Sequence, residues 1–207
     1  QATEVGGQLV DIEARLRNAG YKDAKVTFGE SAGAAGERLI TFTFMRGPRY
    51  RIDRVVVPDG LVIPREQVRD RLDIPDGAPF SEARITAGVT RLIVDYQQLG
   101  YARAAVTPVY TAVEQPPSDQ TARVTVNLVV EQGARHQIGS IRVERPGGPG
   151  AGAVNDAELI ALMGLRAGGP YVASTLRQDQ QTLEDHLRGR GFRSAVVEIP
   201  PPVFTEK

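Results

Sequence analysis

A five-residue pattern, glycine-aromatic-x-x-alanine, occurs three times along the chain, at Gly20-Tyr21…Ala24, Gly100-Tyr101…Ala104 and Gly191-Phe192…Ala195. A repeat of this length constrains the fold strongly, because each copy marks one supersecondary unit that must bury its apolar face against itself or a neighbour. Upstream of the second copy, Ile85, Val89, Leu92, Ile93 and Tyr96 fall on one stripe of a helix. A shift of 80 residues toward the N-terminus gives Val5, Leu9, Ile12, Glu13 and Leu16, and a shift of 91 the other way gives Leu176, Gln180, Leu183, Glu184 and Leu187. The first, third and fifth positions are apolar in all three. Each helix then meets a glycine suited to its C-cap, and a β-like run comes next.

Two further anchors flank the helix. Gly77-Ala78-Pro79-Phe80 and Gly168-Gly169-Pro170-Tyr171 each lie 23 residues before their glycine-aromatic pair. They predict a turn followed by an aromatic at the helix entry, with Ser81 as N-cap in one copy and Ser174 or Thr175 in the other. Gly47-Pro48-Arg49-Tyr50-Arg51-Ile52 matches Gly133-Ala134-Arg135-His136-Gln137-Ile138, each leading into a β-rich run.

Residues 48–134 therefore read as one complete unit. Strand one is expected over Tyr50 to Val57, a short helix over Pro64 to Leu72 with Pro64 in its first turn, and a long helix over Ser81 to Leu99. Strand two runs from about Ala104 to Tyr110. Strand three covers Ala122 to Glu131, where Val124, Val126, Leu128 and Val130 alternate. The order βααββ makes an α+β fold, with each repeat a three-stranded sheet covered on one face by two helices. Residues 1–47 hold a copy without strand one and the short helix, since Gln1 aligns with Ser81. Residues 135–207 hold a copy that runs through strand two, Ala195 to Ile199, without a third strand. Pro146 to Gly152 inserts five residues in this copy and reads as a flexible loop.

Composition narrows the class. Aromatic residues make up 6% and Trp is absent, which suits several small cores. The formal net charge is zero, so no field attracts a polyanion. With no Cys there is neither a disulfide framework nor a thiolate metal site, and no apolar run approaches the ~18 residues of a membrane span. The chain opens Gln1-Ala2-Thr3 without Met or a signal-like segment, and so reads as an excerpt of a longer protein.

A βααββ unit of this size, with its long helix ending in Gly-Tyr and each repeat leading directly into the next, resembles the POTRA domain. The resemblance covers nearly the whole chain. It implies the periplasmic part of a BamA- or TamA-like outer-membrane protein, with a C-terminal β-barrel of its own outside this stretch. It further implies partners of three kinds: unfolded outer-membrane or secreted polypeptides, accessory lipoproteins, and an inner-membrane bridging protein. No cofactor, metal, catalytic role or nucleic acid is implied. A POTRA-bearing structural scaffold, such as a cell-division component, is the alternative, although tandem copies favour the assembly reading.

The binding mode suggested by the resemblance is addition of an extended peptide to a sheet edge. Pro108 lies in strand two of the central repeat and cannot donate to a ladder, so strand two is expected at an edge and strand three in the middle. The candidate peptide-binding residues are therefore Ala24, Lys25, Val26, Thr27 and Phe28 in the first repeat, Ala104, Ala105 and Val106 in the second, and Ala195, Val196 and Val197 in the third. The first group, free of Pro, is expected to be the best edge. Gly20, Tyr21, Gly100, Tyr101, Gly191 and Phe192 are read as structural caps.

Other residues carry weaker signals. Arg49 and Arg135 could meet a partner carboxylate, but solvated or inter-repeat charges are commoner. His136 and His186 lack the neighbours of a metal site. Leu187 to Phe192 has an RNA-like look, and βααββ also resembles the KH topology. The inter-helix loops Asp73 to Phe80 and Gly164 to Tyr171, however, lack a basic GXXG.

Overall fold

A computed structural model describes residues 2–32, 37–113, 121–144 and 154–204. Among these, the elements in chain order are α1 (Ala2–Asn18), β1 (Lys25–Ala32), β2 (Arg38–Met45), β3 (Tyr50–Val56), α2 (Arg65–Leu72), α3 (Glu82–Gln98), β4 (Ala105–Val113), β5 (Ala122–Glu131), α4 (Asp156–Leu162) and α5 (Ala173–Gly189). The central stretch has the expected βααββ order. Two compact units are formed, one from Gln1–Leu92 with Val106–Val130 and one from Ile93–Ala105 with Glu131–Lys207.

In the first unit the sheet order is β3-β5-β4, so the regular, proline-free β5 is central and β4, with Pro108, lies at an edge. β3 runs parallel to β5 from Tyr50↔Ala122 to Val56↔Asn127, with a register shift between Ile52 and Val55. Val124, Val126 and Leu128 of β5, Val68 and Leu72 of α2, and Ile85, Val89 and Leu92 of α3 are all buried core residues. Fully burying side chains of this size stabilises by about 1.5–3 kcal/mol each, so the short α2 is held by packing rather than by its own propensity. Pro64 stands one position earlier than expected, as the N-cap of α2. Ser81 caps α3 as expected, accepting from Arg84 N–H at 3.4 Å, and Asn18 adds a second acceptor for Ala83 N–H at 2.9 Å.

The other sheet of this unit has only β1 and β2, antiparallel, with Val26 opposite Phe44 and Phe28 opposite Phe42. Ile40, Phe42 and Phe44 share one face of β2, as do alternate residues of any strand. Phe42 is 41% exposed, whereas Leu128, its counterpart on β5, is 5% exposed. The difference follows the pairing: β5 is flanked by β3 and β4, whereas among the described residues β2 pairs with β1 alone.

The second unit contains α4, α5 and a cluster of Val154, Leu159, Met163 and Leu183, against which Ile141, Val143, Leu187, Phe192 and Val197 pack. Asn155 caps α4 through Ala157 N–H at 3.0 Å. The expected caps Ser174 and Thr175 fall inside α5 instead, because the helix starts at Ala173. Tyr171 N–H is bonded to the His136 carbonyl, which holds the chain extended through Val172 until the first helical turn begins. Ala195 to Ile199, expected as strand two of the third repeat, forms no strand. A strand needs a ladder partner, and here the Val197 backbone is taken by side chains of α5. Gln180 Nε2 donates to its carbonyl at 2.6 Å, and its N–H donates to Glu184 Oε1 at 3.2 Å. The expected loop over Pro146–Gly152 lies outside the described residues.

The close approach of short and long helices is achieved twice by different means. In the central repeat a methyl on Gly88 would sit 2.7 Å from Leu72 Cα, and the opposing Asp73 adopts a left-handed conformation, φ 53°. In the third repeat the 91-residue shift exchanges the residue types, placing Gly164 for Asp73 and Asp179 for Gly88. Asp179 is 3% exposed. It accepts Gly164 N–H at 2.6 Å and Leu165 N–H at 3.0 Å.

Candidate functional site

The three sequence anchors converge on one construction, a junction at the end of each long helix. Tyr21 N–H bonds Leu16 O, and Gly20 N–H bonds Arg17 O. The pairs Tyr101 to Tyr96 with Gly100 to Gln97, and Phe192 to Leu187 with Gly191 to Arg188, repeat this geometry at 3.0 Å in each case. These paired bonds form the Schellman cap, and the glycines take the positive φ it demands, 103°, 93° and 96°. The Tyr101 ring meets the Tyr96 ring edge-on with centroids 6.1 Å apart, and Phe192 packs with Leu187 against one core cluster. Ala24, Ala104 and Ala195 then donate to the carbonyl of that aromatic, closing a turn into the next segment. The alanine of the motif is a turn residue.

At two of the junctions the cap receives the start of the next strand. Tyr50 N–H donates to Gly20 O at 2.7 Å, and His136 N–H donates to Gly100 O at 2.8 Å. Arg49 Nε donates to Ala19 O at 3.2 Å and Arg135 Nε to Leu99 O at 2.9 Å. These arginines face helix C-termini, which favours their charge, and among the described residues neither meets a carboxylate. The other side of the same strand is bonded by the glycine-proline turn. Phe80 N–H donates to Tyr50 O, Ile52 N–H to Ala78 O and Gly77 N–H to Ile52 O, and the trio Tyr171, Ile138 and Gly168 repeats them. His136 also stacks on Phe204, with ring centroids 4.1 Å apart, while His186 Nε2 lies 3.5 Å from Glu158.

The strand-two residues are placed unequally. Ala24, Val26, Ala104 and Val106 are buried, Lys25, Thr27, Ala105 and Val196 are exposed, and Ala195 and Val197 are half-buried. Phe28 is 39% exposed. The outer edge of β1, expected to be the best edge, is partly guarded, because Val26 N–H donates to Glu13 Oε1 at 2.8 Å. Alternation along an antiparallel strand puts the Phe28 N–H on that same outer edge. Glu13, Gln180 and Glu184 were not singled out as functional residues from the sequence. Their signal was present, since all three interrupt the apolar stripe at positions facing strand two. The opposite edge of the larger sheet, along β3, is bridged at Arg51↔Pro79 by the glycine-proline turn.

The first junction also carries a titrating pair. Tyr50 OH donates to Asp23 Oδ2 at 2.7 Å. The Lys22 hydrogen bond, with that from Tyr50, lowers the Asp23 carboxyl below its ordinary value against an opposing effect of burial. Burial first, and the Asp23 bond second, push the Tyr50 phenol from 10.0 up to about 12. A raised acid stabilises the fold fully below its unfolded pKa, and that contribution is lost as pH rises through the folded one. Tyr50 is thus expected to stay protonated at pH 11, and Tyr50→Phe should remove one late step from a phenolate absorbance titration. An unchanged titration would refute the assignment.

Known proteins place this geometry. The family model for POTRA, described as surface antigen variable number repeat, matches residues 50–133 and 138–206. The chain is similar to the crystal structure of Haemophilus influenzae BamA POTRA3-5, at 17% identity and TM-score 0.59, covering 88% of this chain and 69% of that one. It also resembles BamA from Haemophilus ducreyi lacking POTRA domains 1-3, at 18% identity and TM-score 0.48, over 67% of this chain and 24% of that one. The N-terminal domain of Omp85 from Thermosynechococcus elongatus matches at 20% identity and TM-score 0.33, over 89% and 72%. No curated protein matches.

Proposed function

Because this chain belongs to the POTRA family, whose model matches it over residues 50–133 and 138–206, we propose that it is a periplasmic polypeptide-binding and partner-docking part of an outer-membrane β-barrel assembly or protein-translocation factor. Its three repeats, 1–47, 48–134 and 135–207, act as binding modules without catalysis. Unfolded outer-membrane or secreted polypeptides bind by adding a strand. Accessory lipoproteins or an inner-membrane bridging protein dock on the array, and a C-terminal barrel belongs to the same parent.

One observation carries the binding mode. The two edges of the β3-β5-β4 sheet are unlike: the β3 side is bridged by the Gly77–Phe80 turn, which leaves the β4 side for an incoming strand. Pro108 weakens that side. On β1 the Glu13 carboxylate guards Val26, so addition begins at Phe28. The candidates Lys25, Thr27 and Phe28 therefore act through β1, and Ala105 and Val106 through β4. Ala24, Ala104 and Ala195 set the turn, and Val196 and Val197 come into play only when the α5 side chains release the backbone.

Photocrosslinking tests this. A photoreactive residue at Phe28 should capture an unfolded peptide of alternating apolar and polar residues more than one at Val109, and Glu13→Ala should raise capture at Phe28 by freeing an N–H. Equal capture at Val94, exposed on α3, would refute strand addition.

A further inference from the structure

We infer that one position on the long helix sets the register at which a guest strand joins each repeat, and that Val106 is the entry point in the central repeat. The position holds Glu13 in the first repeat, Ile93 in the second and Glu184 in the third. This rests on strand addition as proposed above and specifies where on each edge it starts. Two repeats carry the same bond: Glu13 Oε1 accepts Val26 N–H at 2.8 Å, and Glu184 Oε1 accepts Val197 N–H at 3.2 Å. The shifts of 80 and 91 residues that relate the repeats bring the two glutamates to one position and the two valines to another. In the third repeat Gln180 Nε2 also donates to Val197 O at 2.6 Å. The N–H and C=O of one residue lie on the same side of an antiparallel strand, so these α5 side chains take the places of a neighbouring strand. Strand two lies at the sheet edge in the complete repeat. The carboxylates therefore close donors that a guest would otherwise use.

The central repeat has Ile93 at the helix position and Val106 at the strand position. A hydrocarbon side chain accepts no hydrogen bond, so Val106 N–H is left for a guest carbonyl. The outward-facing positions on either side of it offer no donor, each for its own reason. Ala104 N–H closes the turn onto Tyr101 O at 3.1 Å, and Pro108, the counterpart of Phe28, has no N–H. A guest therefore pairs at Val106 in the central repeat and at Phe28, the next outward-facing residue along, in the first. In the third repeat the corresponding residue, Val197, is closed.

Crosslinking of the full chain to a synthetic peptide of alternating apolar and polar residues tests the register. A photoreactive residue at Ala105, exposed beside Val106, should capture the peptide well above one at Val94. Ile93→Glu should lower capture at Ala105 about tenfold, the worth of one hydrogen bond, and leave capture at Phe28 unchanged. Glu13→Ile supplies the reciprocal measurement should Ile93→Glu fail to fold: it should raise capture at Lys25, beside Val26, by a similar factor and leave Ala105 unchanged. Capture at Ala105 indifferent to Ile93→Glu in a folded chain, or capture at Lys25 indifferent to Glu13→Ile, would overturn the register assignment while leaving strand addition standing. Capture at neither Ala105 nor Phe28 above that at Val94 would overturn strand addition, and this inference with it.

Discussion

Replacing Gly100 by alanine is expected to lower stability by about 2–4 kcal/mol, from left-handed strain of ~1–2 kcal/mol and overpacking of similar size. The added methyl would lie 2.8 Å from the His136 carbonyl and 3.1 Å from Pro170 Cβ, so it meets backbone and a rigid ring. A fall in Tm of roughly 10 °C should result for a chain of this length. Gly191→Ala is the matched control, because its φ of 96° imposes the same strain in open space. It should cost only ~1–2 kcal/mol. Chemical denaturation of the two variants separates the contributions. Equal losses would mean that the methyl meets no overpacking at the Gly100 junction.

Asp179→Ala should be comparably severe, at about 3 kcal/mol, since it removes a charged acceptor and strands the buried Leu165 N–H together with the part-buried Gly164 N–H. Asp179→Asn keeps one carbonyl acceptor and should cost less than half of that. Faster amide exchange at Gly164 and Leu165 in the alanine variant would locate the effect at the end of α4. Protection unchanged at both amides would show that the hydrogen bonds to Asp179 are not what holds this turn.

These two sites differ in how far they could be read from the chain alone. Gly100 announces itself because a helix-ending glycine before an aromatic is a local requirement of backbone geometry, repeated at Gly20 and Gly191. The central position of β5 was also legible, through the missing N–H of Pro108 on its neighbour. Asp179 was not, because its meaning depends on a partner 15 residues away that is glycine only in this repeat. Glu13 and Glu184 looked like interruptions of a stripe, and only the approach of Val26 and Val197 makes them acceptors. Ala195 to Ile199 was misread for the same reason in reverse: β-propensity is local, while a ladder requires a neighbour. The roles of Arg49 and Arg135 lay in carbonyls 30 and 36 residues back, beyond any spacing rule.

Those two sequence separations bear on how such an array is made. Each cap accepts the strand start that comes a few tens of residues later, so as the chain emerges in order, a finished helix end is already waiting when its guest appears. Closing loops of 30 and 36 residues carries nearly the same entropic cost, because that cost grows only with the logarithm of length. Assembly can therefore advance in steps of similar difficulty, each seeded by the one before, and its speed should scale with the number of repeats rather than with the reach of the whole chain.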